Sequence, residues 1–147
     1  MDNAKIAEEK FRAGYNCSQS VLFSFTDELN IDKNTALKIA NGFGGGMGRK
    51  QEVCGAVSGA IMSLSLKFGK GENDGADKQE MTYKKVRELI DSFENDFGSI
   101  NCKELLPGCI LMTNEGQKQF KEQGLKERCC KFVKRASEIT GLLIQNT

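Results

Sequence analysis

The sequence predicts an all-α fold: a single-domain, compact bundle of up-and-down helices over residues 1–147, with a glycine-rich loop before its central helix. Three observations carry this expectation. Apolar residues recur in steps of three and four, one proline (Pro107) is the only such interruption, and no stretch alternates apolar with polar residues as a half-buried strand would. Hydrophobic residues make up 39% and charged residues 28%, which excludes a disordered chain.

A first helix is expected over roughly Asn3–Ala13, stopped at Gly14. Asn16 can cap a second, with Cys17, Val21, Phe25 and Leu29 on one face. Asp32 can cap a short third helix to about Asn41. After the glycines, Cys54, Val57, Ile61, Leu64 and Phe68 form a core stripe ended by Gly69. The polar segment KGENDGAD reads as a loop, and its likeness to a calcium loop fails where Lys70 replaces the first carboxylate. A long helix follows over about Asp77–Phe97, with Val86, Ile90, Phe93 and Phe97 inward. A short turn begins at Asn101, a helix near Asn114–Gln123 comes next, and a last helix starts at Leu125. Its stripe is Leu125, Cys129, Phe132, Ala136, Ile139 and Leu143.

Composition excludes several functions. A net charge of +1 lacks the basic excess of a nucleic-acid footprint. No apolar run approaches the ~20 residues of a membrane span. The opening MDNAKIAEEKFR is charged and lacks the apolar core of a secretory signal, so a cytoplasmic protein is expected. The absence of histidine removes Ser-His-Asp and Cys-His nucleophile systems and His-ligated zinc. Ser58, in AVSGA, therefore has no base to activate it.

Six cysteines remain: Cys17, Cys54, Cys102, Cys109, Cys129 and Cys130. In a cytoplasmic setting they point to metal binding or thiol redox chemistry rather than a disulfide scaffold. No C-x-x-C occurs, which weakens zinc-ribbon and thioredoxin-type readings. Cys17, Cys54, Cys102 and Cys129 each fall near the start of a helix, where the dipole favours a thiolate. In an up-and-down bundle these four are expected to converge at one pole. There they could hold zinc or an iron–sulfur cluster, or form reversible disulfides without any cofactor. Cys130 lies off the apolar stripe and Cys109 sits in the irregular PGC segment, so both are expected to be incidental.

The loop GFGGGMG holds five glycines in seven residues, yet lacks the G-K-[ST] and G-x-G-x-x-G phosphate motifs. Gly44, Gly45, Gly46 and Gly48 beside Arg49 and Lys50 leave two readings: an anion nest, or glycines required by close packing. Gly55 and Gly59 form a small-residue face on the next helix, open to another backbone, to a bound group beside Cys54, or to a second copy of the chain in a homodimer.

The order NCSQ, GGGMGR, CGAVSGA, INCKELL and RCCKFV, from Cys17 to Val133, resembles the redox-active family labelled by a C…GCAxxG…C…C pattern. The resemblance implies a small helical protein defined by four cysteines: Cys17, Cys54, Cys102 and one of the last pair, taken as Cys129 because it keeps the stripe. The central block departs from the label by transposing its first two letters, and Cys109 adds a thiol outside the pattern.

The expected function is thus a thiol redox or electron-transfer protein, with a redox partner protein or a small thiol as its counterpart. Cys54 is expected to be the nucleophilic or metal-contacting thiolate, supported by its helix start and by Arg49 and Lys50. Cys17, Cys102 and Cys129 would be resolving partners or co-ligands. The alternatives are a non-catalytic four-cysteine metal or cluster module, and a structural domain with buried thiols.

Overall fold

Helix starts in this chain are set by side chains that occupy otherwise unbonded amides. Asp2, Asn16, Asp32 and Thr113 accept hydrogen bonds from the amides of Lys5, Gln19, Thr35 and Gly116. Asn16 and Gln19 do so reciprocally, closing a capping box. The computed structural model describes residues 2–146. In chain order the helices are α1 (Asn3–Arg12), α2 (Cys17–Ser24), α3 (Lys33–Asn41), the single turn α4 (Gly44–Met47), α5 (Gly55–Phe68), α6 (Ala76–Phe97), the turn α7 (Cys102–Leu105), α8 (Asn114–Glu122) and α9 (Leu125–Gln145). Among the described residues the β structure is one antiparallel bridge, Val53 with Asn101. The protein is all-α, as its periodicity predicts.

α5 is the central helix, packed against α2, α6 and α9. It is apolar nearly all round, and Ala56, Val57, Ala60 and Leu64 are fully buried. Its small residues let α2 approach backbone to backbone. A methyl added at Gly59 would stand 2.6 Å from the Ser18 carbonyl oxygen, and one at Gly55 would stand 3.1 Å from Cys17 Cβ. The glycine face that could have admitted a cofactor or a second chain is therefore filled by α2. Since Gly55 meets the start of α2 and Gly59 also meets Val21 further along it, the two helices run parallel.

The neighbours run the other way. Gln19 and Asn16 side chains donate to the carbonyls of Leu37 and Asn41 near the end of α3. Arg12 at the end of α1 pairs with Glu127 at the start of α9. The Lys85 ammonium donates to the Asn146 carbonyl beyond the end of α9, while Phe93 and Phe97 of α6 stack with Phe132 near its start. The starts of α2, α5 and α9 thus share one pole with the ends of α1, α3 and α6.

Three expectations need correction. α2 ends at Ser24, so Phe25 and Leu29 reach the core from the turns beyond it rather than along one helix face. On α6 the buried line is Thr82, Lys85, Leu89 and Phe93, with Val86, Ile90 and Phe97 only partly buried beside it. The face is turned because Lys85 buries its stem to reach Asn146. On α9 the buried face is wider than one stripe and takes in Cys130, Val133 and Thr140.

In an open helix Gly→Ala gains about 1 kcal/mol from propensity. At Gly59 the overlap with the Ser18 carbonyl should outweigh that, leaving a net loss of about 1–3 kcal/mol. Gly59→Ala is expected to lower the melting temperature by several degrees in a thermal melt; an unchanged or higher Tm would contradict the close α2–α5 contact.

Candidate functional site

The pole where the helix starts meet holds a cavity of about 940 Å³. Cys17, Cys54, Cys102 and Cys129 all line it. Cys17 opens α2 and Cys129 lies in the second turn of α9. Cys54 is the cap residue of α5, and Cys102 is the first residue of α7.

The last two are joined through the backbone. The Cys54 amide donates to the Ile100 carbonyl and the Cys102 amide to the Glu52 carbonyl, each at 2.7 Å, on either side of the Val53–Asn101 bridge. A two-residue β contact, with no alternating pattern to announce it, thus sets one thiol segment against the other.

The glycine loop builds the adjoining wall as a left-handed turn. Gly45, Gly46, Met47, Gly48 and Arg49 all have φ between 59° and 72°, and Gln51 has 58°. Met47, Arg49 and Gln51 hold this conformation without the freedom of glycine, at roughly 1–2 kcal/mol each. The turn is held by its own carbonyls: the Gln51 amide donates to Gly45 and the Glu52 amide to Gly46. Gly46 is required twice over, since a methyl there would lie 2.8 Å from Cys102 Cβ in a backbone that already favours glycine. The amides of Met47 through Glu52 all bond to carbonyls within the loop. From Met47 onward the turn is thus closed by its own backbone, and close packing requires Gly46 within it. Gly44, Gly45, Gly46, Gly48, Arg49 and Gly55 line the cavity, whereas Gly59 lies between α2 and α5.

The thiols differ sharply in electrostatics. Cys17 and Cys129 act on each other's ionisation, so that one thiol of the pair gives up its proton more readily than the other. The interaction with Cys129, then burial, pushes the Cys17 thiol well above its ordinary range. The interaction with Cys17, opposed by burial and helped by Arg128, lowers Cys129. Burial raises Cys54 to about 12, although the amides of Ala56 and Val57 pull it down. Cys102 is raised to about 11, first by burial and then by the Cys129 charge, with a hydrogen bond from Gln51 opposing. At Cys54, beside Arg49 and Lys50, desolvation outweighs the helix start and raises the pKa, while the Cys129 thiol is lowered.

Among the described residues no group of three or more Cys, Asp or Glu side chains is placed to hold a metal ion. The cysteines share one cavity without forming a closed cage for zinc or a cluster.

A family model described as "Putative redox-active protein (C_GCAxxG_C_C)" matches residues 15–143. The chain belongs to this family. The match starts two residues before Cys17 and ends beyond Cys129 and Cys130, so all four cavity cysteines lie inside it. A protein of Archaeoglobus fulgidus, itself named only as an uncharacterized protein, is 31% identical over 132 residues, covering 85% of this chain and 82% of that one. No solved structure matches the chain significantly. No helix among the described residues is long and apolar enough to cross a membrane.

Several cavity residues left no signal in the sequence. Gln51 is buried, donates to the Cys109 carbonyl at 2.8 Å and accepts from the Leu111 amide at 2.9 Å, tying the segment after Pro107 to the rim. Cys109 is off the cavity wall; its Sγ donates to the Gly116 carbonyl at 3.2 Å, and burial followed by the Cys129 charge raises its pKa. Cys130 faces Glu8 instead, 3.5 Å from Oε2, beside Arg12. Lys121 and Lys126 reach the rim from α8 and α9.

Two outcomes follow from these pKa directions. Alkylation of the folded protein, mapped by peptide mass against pH, should label Cys129 at lower pH than any other cysteine. Cys17→Ala removes the interacting partner and should move that curve to higher pH, whereas Cys17→Ser retains a hydroxyl and should move it less. In the folded state Cys54 and Cys102 stay protonated to about 12 and about 11, while in the unfolded chain they ionise near an ordinary ~8.5. The folded state then binds more protons across that window, so stability is full below it and falls as pH rises through it. The lowered Cys129 contributes fully above its unfolded value, the lower edge of this window, and adds no slope across it. Urea midpoints measured from pH 8 upward should decline, and less steeply in Cys54→Ala.

Proposed function

We propose that this protein is a thiol–disulfide redox protein whose working pair is Cys17 and Cys129. The observation that carries this reading is that Cys17 and Cys129 line one open cavity as interacting neighbours, the first thiol pushed up and the second lowered. Membership of a family described as redox-active supports the same class of chemistry.

In the reaction, the Cys129 thiolate attacks one sulfur of a substrate disulfide. A mixed disulfide forms as the substrate S–S bond breaks, and one substrate thiolate leaves. Cys17 then gives its proton to that leaving thiolate, and its own thiolate attacks the Cys129 sulfur. The Cys17–Cys129 disulfide forms, the mixed disulfide breaks and the second substrate thiolate is released. The protein dithiol loses two electrons and the substrate disulfide gains them; the reverse sequence reduces the protein. With no histidine to act as base, Cys129 ionises through its interaction with Cys17 and the nearby Arg128 charge. Cys54 and Cys102, buried and with raised pKa, line the same cavity.

Oxidation of the reduced protein with hydroxyethyl disulfide should remove two of six free thiols and yield linked Cys17 and Cys129 peptides on non-reducing mapping. Cys17→Ser should stall at a mixed disulfide on Cys129, and Cys129→Ser should not react. Retention of all six thiols, or linkage of a different pair, would overturn the assignment. Stoichiometric zinc or iron in an anaerobic preparation would favour the four-cysteine metal module.

A further inference from the structure

The charged residues on the cavity wall are all of one sign. Arg49 from the left-handed turn, Lys121 from α8 and Lys126 from α9 line it, and no Asp or Glu does. All three are exposed residues, and among the described residues none has a carboxylate within salt-bridge distance. Lys126 instead stands 5.6 Å over the Phe11 ring, and Glu127 beside it is bound to Arg12. Two segments distant in sequence, the left-handed turn and the α8–α9 hairpin, thus bring cations to one opening in a protein whose net charge is only +1.

Size and lining narrow the occupant. About 940 Å³ is the upper range of a small-molecule site. Leu105, Leu106, Leu111 and Phe120 supply apolar wall between the thiols and the cations. A thiolate that attacks a negatively charged disulfide meets like-charge repulsion, and cations held at the mouth offset it and steer the ligand inward.

We infer that the cavity selects a small, carboxylate-bearing disulfide or its thiol, with Arg49, Lys121 and Lys126 pairing with the carboxylates while Cys129 meets the sulfur. This rests on the dithiol reading of Cys17 and Cys129. The step is the exchange already written: the anionic disulfide gains two electrons and leaves as two thiols, and the Cys17–Cys129 disulfide forms. A small ligand also suits sulfurs set back in a cavity wall, where Cys129 is only 8% exposed.

The test uses three probes that differ in charge: dithiodipropionate (dianionic), hydroxyethyl disulfide (neutral) and cystamine (dicationic). Thiol loss at Cys17 and Cys129 is followed by quenched mass spectrometry at low salt. Each rate is divided by that of free dithiothreitol with the same probe, which removes intrinsic reactivity. The expected result is a normalised rate about tenfold higher for the dianion than for the neutral probe, with cystamine slowest. Added salt should compress the spread, and Lys121→Gln/Lys126→Gln should abolish it, while Lys78→Gln on exposed α6 should leave it intact. Equal normalised rates, or a preference for cystamine, overturn the anionic assignment and leave the dithiol standing. Failure of all three probes to oxidise the pair overturns the dithiol reading and this inference with it.

Discussion

The arrangement at the thiol pole depends on one contact, the backbone-to-backbone approach of α2 and α5. Gly55 and Gly59 leave no side chain between α5 and Ser18, so the helices lie parallel with their starts together. That places Cys17 and Cys54 at the same end. Two antiparallel packings, α1 on α9 and α6 on α9, then bring the start of α9 and the chain after α6 to that end as well. The closeness has a cost: Ser18 Oγ is buried there without a hydrogen-bond partner among the described residues, a penalty of about 1–3 kcal/mol. Larger residues at positions 55 and 59 would relieve nothing and would part the helices.

Two opposing electrostatic effects act on the cysteines, and their sizes decide the outcome. A helix start favours a thiolate by typically 0.3–1 kcal/mol, less than one unit of pKa. Full burial opposes ionisation by up to 3–5 units. At Cys54 both act and burial wins. At Cys129 the interaction with Cys17 and the nearby Arg128 charge reverse the balance. Rank among the thiols is therefore set by partners, which lie far away in sequence, and not by position on a helix.

The left-handed turn joins the two halves of the cavity. Its glycines pass close to Cys102, its strained Gln51 holds the segment around Cys109 and Leu111, and its Arg49 reaches the rim. Left-handed residues other than glycine persist only where surrounding bonds over-determine them. Here the loop carbonyls and the Val53–Asn101 bridge do so.

Much of the architecture was legible in the chain itself. Helix caps at Asn16 and Asp32, the stop at Gly69, and three-and-four spacing along α5 and α9 are local signals, because they depend on hydrogen bonds and faces within a few residues. The cysteines of interest and the glycines beside them were visible for the same reason. The turned face of α6, with Lys85 buried to reach Asn146, was not, since its partner lies 61 residues away. Nor were the clasp of Gln51, the bridge that sets Cys54 beside Cys102, or the cations gathered from α8 and α9. Sequence by itself determined an all-α chain with its thiols at helix starts. Only tertiary structure decided which thiol gives up its proton more readily, because desolvation and the interaction with Cys17 exist only once α2 and α9 have met.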